Sequence, residues 1–143
     1  MEEKVYFTGS RAFFDGMEGF EPHDTDLLAF NPSLACPGMR SDSGEKSTLF
    51  QWKSDDKEEL ISFMLKWPEP AHRVCLFLVP DIAQRIGLSI EDLPRLKPLV
   101  DRLDAKHRYL ADIYEAYIEN KEFILTESQK TKAFKTYKDE RKL

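Results

Sequence analysis

Two short clusters near the start of the chain combine residue types that do chemistry together. The first is Gly9-Ser10-Arg11, directly after the run Val5-Tyr6-Phe7-Thr8. The second is Asp24-Thr25-Asp26, which leads into Leu27-Leu28. If the second cluster is a strand, its side chains alternate between faces and Asp24 and Asp26 point the same way. Two carboxylates on one face repel unless one is protonated or a cation sits between them. Hard divalent cations such as Mg²⁺ select oxygen ligands of this kind. A glycine after an apolar strand permits a tight turn and a close approach of backbone to ligand. The N–H groups that follow, with the Ser10 hydroxyl, suit phosphate oxygens. A phosphate cradle facing a carboxylate–metal site is what metal-assisted phosphoryl or nucleotidyl transfer requires.

These elements resemble the nucleotidyltransferase superfamily, the fold shared with DNA polymerase β, in its small stand-alone form. That family carries a strand ending in Gly-Ser, a spacer, and Asp-x-Asp on the next strand. Phe7-Thr8-Gly9-Ser10 and Asp24-Thr25-Asp26-Leu27-Leu28 look like these two parts in that order. The resemblance implies that Asp24 and Asp26 hold Mg²⁺ or Mn²⁺ and are the catalytic pair. It implies that Gly9, Ser10 and Arg11 bind a nucleoside triphosphate. The acceptor hydroxyl belongs to a small molecule, a protein or an RNA end, and a partner protein is a further expectation. Two departures stand out. Thr25 replaces the usual aliphatic residue between the acids. The family's third carboxylate, on a later strand, has no counterpart in Leu49-Phe50-Gln51-Trp52-Lys53. Gln51 is a weak ligand and no base, and Asp55, Asp56 and Asp81 are the fallback candidates. The competing expectation is therefore a catalytically impaired binding or interaction module on the same fold.

The elements that must position these residues read as follows. Val5–Thr8 is a short β-branched and aromatic strand. Gly16, Gly19 and Pro22 limit any helix in 11–23 to a few residues. Asp24–Phe30 is a second strand, closed by Asn31-Pro32. Residues 32–46, with Pro32, Pro37, Gly38 and Gly44, form a long loop. Ser47–Lys53 is a third strand. Asp55 with Glu58 caps a helix whose apolar face is Leu60, Phe63, Met64 and Trp67, and Pro68 stops it. Val74–Val79, nearly continuously apolar, reads as a fourth strand buried on both faces. Asp81–Ile86 is a short helix closed by Gly87. Ser89 and Asp92 resemble a capping start, and Leu96–Ile118 carries one long helical stripe, closed by Asn120. Thr126 and Gln129 open a last helix with Ala133, Phe134 and Tyr137 on its inner face. Strands first and helices later give an α+β class, with residues 1–80 as the sheet-bearing core of one domain and 81–143 as its helical extension.

Composition sets the outer bounds. The 143 residues suffice for one core, with 41% hydrophobic and 12% aromatic residues against 33% charged. A net charge of −5 argues against a general nucleic-acid binder. The basic tail from Lys130 to Lys142 reads first as a solvated helix face and second as a patch for RNA or an acidic partner. No apolar run reaches membrane-spanning length and no ordinary secretory leader is visible, so a cytoplasmic, membrane-free protein is expected. Cys36 and Cys75 lie in unrelated contexts, which fits a reducing compartment rather than a disulfide or zinc framework. Several residues also have plain readings. Arg11 pairs with Asp15 or the acidic segment, His23 is a surface histidine, His72 and His107 are ordinary exposed histidines, and Trp52 and Trp67 belong to the core.

Overall fold

The computed structural model describes residues 4–30, 46–52 and 54–141. The expected stop at Asn31-Pro32 and the loop over 32–46, with Cys36, lie outside the described residues except at Lys46. The chain divides into two compact units, Met1–Asp55 and Asp56–Leu143. Strands β1 (Val5–Thr8), β2 (Asp24–Ala29) and β3 (Lys46–Gln51) and the short helix α1 (Ser10–Phe14) belong to the first unit. The class is α+β.

The three strands form one mixed sheet in the order β1-β2-β3. β1 runs antiparallel to β2, with Thr8 opposite Asp26 and Tyr6 opposite Leu28. β3 runs parallel to β2, with Thr48 beside Asp26 and Phe50 beside Leu28. Register therefore assigns faces. Tyr6, Thr8, Asp24, Asp26, Leu28, Thr48 and Phe50 share one, while Val5, Phe7, Leu27, Leu49 and Gln51 share the other. Tyr6, Phe13, Phe14, Leu28, Leu49 and Trp52 are buried. Aromatic edges meet at Tyr6–Phe30 (6.1 Å) and Phe14–Phe20 (6.2 Å).

The second unit is helical: α2 (Lys57–Lys66), α3 (Pro70–Leu78), α4 (Pro80–Ile86), a 3₁₀ segment Ile90–Leu96, α5 (Lys97–Val100), a 3₁₀ turn Ala105–His107, α6 (Arg108–Asn120) and α7 (Glu127–Arg141). The cap of α2 is Asp56, not Asp55: its side chain accepts from the Glu59 N–H at 2.9 Å. Gly87 closes α4 in the left-handed conformation, φ 78°. Gln129 and Thr126 cap α7 reciprocally, each backbone N–H donating to the other's side chain at 3.2 Å. Asn120 is the last residue of α6 rather than its cap; Lys121 turns the chain at φ 59°, while the Asn120 amide donates to Gln129 Oε1 at 2.8 Å.

Three larger expectations fail as well. Val74–Val79 is not a fourth strand. Val74 to Leu78 belong to α3, and every one of them is buried because α2, α4, α5 and α6 all pack against this helix. A helical segment enclosed on all sides, as Val74 to Leu78 are, loses its polar stripe and reads like a doubly buried strand. The signals that separate the two are the prolines: Pro70 and Pro80 occupy first-turn positions of α3 and α4, where the missing N–H costs nothing. The long helix over Leu96–Ile118 is also broken. α5 ends at Val100, and Asp104 starts a new turn by accepting from the His107 N–H at 3.2 Å. Trp67 is not core. It is 39% exposed at the end of α2, its ring tilted against Phe63 with the Arg73 guanidinium 3.6 Å from its ring centre.

Aromatic packing joins α6 to α7 through Tyr109–Tyr137 (5.4 Å), and Thr136 donates to Asp112 at 2.7 Å. Tyr117, beside Phe123, is buried enough to push its hydroxyl well above the usual phenol range. Lys132, Lys135 and Lys138 of α7 face solvent, with Lys138 over the Phe134 ring and Lys132 3.8 Å from Asp112. Polar ties hold the 3₁₀ segment to α2. Asp92 Oδ2 accepts from the Ser89 N–H (3.0 Å) and from Lys57 Nζ (3.1 Å), and Arg95 grips Glu58 with both terminal nitrogens. No described helix is long and apolar enough to cross a membrane.

Two outcomes follow for stability. Phe77 is fully buried in α3, so Phe77→Ala is expected to lower the unfolding free energy by about 3–5 kcal/mol in urea titration. Partial burial alone would raise the Asp92 carboxyl, but hydrogen bonds from Ser89 and Lys57 outweigh it and hold the group below its ordinary value. A depressed carboxyl stabilises the fold above the unfolded-state value and loses that contribution as pH falls through the folded one. The urea midpoint is expected to drop from about pH 5 to about pH 3, with a shallower slope in Asp92→Asn.

Candidate functional site

β1 ends at Thr8 and the chain turns at Gly9 (φ 72°, ψ −158°). That backbone region is essentially confined to glycine. α1 begins at Ser10, and the Ala12 N–H closes back onto the Gly9 carbonyl at 3.1 Å. Because Thr8 lies opposite Asp26, the turn falls directly against the Asp26 side chain. A Cβ built on Gly9 would stand 2.6 Å from Asp26 Oδ2 and 3.4 Å from Asp26 Cβ. The close approach of backbone and carboxylate is thus a property of the fold, and any side chain at position 9 would push the carboxylate away.

Asp26 is half-buried, flanked on its face by buried Thr8 and by Thr48. Asp24, two residues earlier, shares that face and is exposed at the start of β2. One acid is set into the sheet and the other reaches solvent, as a site open to a diffusing ligand requires. Ser10 and Arg11 are half-buried at the start of α1. The Arg11 guanidinium lies 3.9 Å from Asp15, the pairing that a plain reading of the sequence favours. His23 is exposed just ahead of β2.

The third acid is not supplied by β3. The positions of β3 on the Asp26 face are Thr48 and Phe50, and Gln51 falls on the opposite face of the sheet, which removes it as a substitute ligand. Asp55 is exposed ahead of α2, Asp56 is engaged as the cap of that helix, and Asp81 is exposed in the first turn of α4. Among the described residues, no group of three histidine, cysteine, aspartate or glutamate side chains is arranged to hold a metal ion. Sequence reading found Gly9 and Asp26 but missed the threonines beside Asp26, since only register reveals which residues of β1 and β3 flank it.

Gly9 and Gly16 separate strain from contact. Both have positive φ, but a Cβ on Gly16 meets nothing within 4 Å. Gly16→Ala is expected to cost only backbone strain, about 1–3 kcal/mol, and Gly9→Ala more. The excess should shrink when Gly9→Ala is placed in an Asp26→Ala background, measured as a double-mutant cycle in urea. Equal costs for both glycines in both backgrounds would show that the turn does not bear on Asp26. Compared with protein-family models, curated proteins and solved structures, the chain matches none of them.

Proposed function

We propose that the first unit binds a nucleoside triphosphate with a divalent cation and transfers its nucleotidyl group to a hydroxyl acceptor. The observation that carries this reading is the close approach of Gly9 to the Asp26 carboxylate, with Asp24 on the same face. Carboxylate oxygens at i and i+2 suit Mg²⁺ or Mn²⁺, and neutralising their repulsion would be the cation's first effect. When bound, the cation would supply charge stabilisation at the phosphates. The Gly9-Ser10 turn would hold the triphosphate with backbone N–H groups and the Ser10 hydroxyl, and Arg11 would add positive charge at its edge. The acceptor oxygen would bond to the α-phosphorus as the bond from that phosphorus to the bridging oxygen breaks. Pyrophosphate would leave, and the hydroxyl proton would pass to a nearby carboxylate or water.

A second reading rests on a specific feature of the sheet. The β3 positions beside Asp26 are Thr48 and Phe50, neither of them acidic. A site with two carboxylates favours binding over turnover, which describes a nucleotide-responsive module acting with a partner protein.

Thermal unfolding with ATP, CTP, GTP and UTP, each with and without Mg²⁺, tests binding. One triphosphate is expected to stabilise the chain only with metal, by about 2.7 kcal/mol at a hundredfold excess over Kd. Asp26→Asn should abolish the effect. Labelled-nucleotide transfer, lost in Asp24→Asn and Asp26→Asn, would establish the enzyme; stabilisation without transfer would establish the binding module. No shift with any nucleotide would overturn both readings.

A further inference from the structure

The helical unit holds a second group of titratable side chains that the nucleotide reading does not use. Pro68 to His72, at the start of α3, and Arg102, Asp104 and His107, ahead of α6, line a cleft of about 480 Å³. His72 and His107 face each other across it with ring centres 6.1 Å apart, edge to face. A metal–nitrogen bond of about 2.1 Å at a tetrahedral ion puts the centres of two imidazoles about 5.3 Å apart, so a small rotation of the exposed His72 side chain brings the pair to a shared ion.

The His107 ring is held in place. Asp104 Oδ1 lies 2.6 Å from His107 Nδ1 and also accepts from the His107 N–H at 3.2 Å. An ionised carboxylate only accepts, so a neutral His107 imidazole carries its proton on the Nδ1 that faces Asp104. A proton kept on Nδ1 leaves Nε2 as the lone-pair nitrogen. A carboxylate bonded to the far nitrogen of an imidazole is also the arrangement that orients histidine ligands in metal sites. The ring is further fixed against Tyr109, 6.5 Å between centres, and its side chain is only 21% exposed. His72, by contrast, is exposed and reachable from solvent.

We infer that His72 and His107 form a binding site for a divalent transition ion of the Zn²⁺ type, with Asp104 as the positioning residue of His107. Imidazole nitrogen selects Zn²⁺, Ni²⁺ and Cu²⁺ over Mg²⁺, which separates this site from the Asp24/Asp26 pair by ligand chemistry. No three acidic, histidine or cysteine groups among the described residues already converge on one point. Water and, after rotation, the exposed Glu69 that lines the same cleft complete the coordination. Such a site binds more weakly than a closed structural centre and stays open to exchange.

The test uses the full, tag-free chain stripped with chelator. Calorimetric titration with ZnCl₂ and separately with MgCl₂ is combined with NMR of the three imidazoles. The expected result is one Zn²⁺ per chain, with His72 and His107 resonances shifting and His23 unmoved, and no such response to Mg²⁺. His72→Ala, at an exposed position, and His107→Gln, which preserves bulk, should each weaken binding at least tenfold with unchanged far-UV circular dichroism. Asp104→Asn should weaken it by about 10–100-fold. Asp26→Asn should leave the zinc affinity in place, which keeps the outcome separate from the nucleotide reading. Absence of binding, binding that survives the His72→Ala/His107→Gln double variant, or binding lost only in Asp26→Asn would each overturn the assignment.

Discussion

The contact on which the first unit turns is between a backbone and a carboxylate. Gly9 adopts a conformation that a side chain resists, and the space where its Cβ would stand is taken by Asp26. The pairing of Thr8 with Asp26 makes the contact unavoidable, because the first residue after β1 must pass that side chain. One missing methyl group therefore ties together the turn, the register of β1 on β2 and the start of α1. A shift of one residue in that register would move Asp24 and Asp26 to the other face and take the carboxylates away from the turn.

The two units are stabilised differently. The sheet is small and its strands are four to six residues long. Its order therefore depends on Tyr6, Phe14, Leu28 and Leu49 being buried rather than on ladder hydrogen bonds alone. The helical unit is organised around α3, which is enclosed by neighbouring helices, and around aromatic contacts between α6 and α7. Its surface ion pairs, such as Arg95–Glu58 and Lys97–Asp101, are exposed and contribute little individually. Asp92 is different because one carboxylate oxygen serves Ser89 and Lys57 at once, linking the 3₁₀ segment to α2.

Both proposed sites are built from pairs close in sequence and completed by residues distant in it. Asp24 and Asp26 are two apart, and Asp104 and His107 are three apart. Each pair is locally determined, by strand alternation in one case and by a helical cap in the other. Gly9 and His72 are the distant completing members. The two proposed sites, one of carboxylate oxygen and one of imidazole nitrogen, thus fall in separate units of one chain.

The amino-acid sequence alone determined the first three strands, the limit on any helix between the first two, the reciprocal cap at Thr126 and Gln129, the stop at Gly87 and the shared face of Asp24 and Asp26. All of these depend on interactions within a few residues, where side-chain period, turn chemistry and capping act directly. Tertiary structure decided the rest. Val74 to Leu78 form a helix because other helices, not the strands of a sheet, enclose them, and apolar composition is the same in either environment. Trp67 lies outside the core because α2 turns its Phe63–Trp67 edge to solvent. Gln51 faces away from Asp26, and Thr8 and Thr48 flank it, because strand register is a contact between distant segments and leaves no trace in local spacing. The same holds for His72 and His107, which look like isolated surface histidines until helix packing brings their rings together.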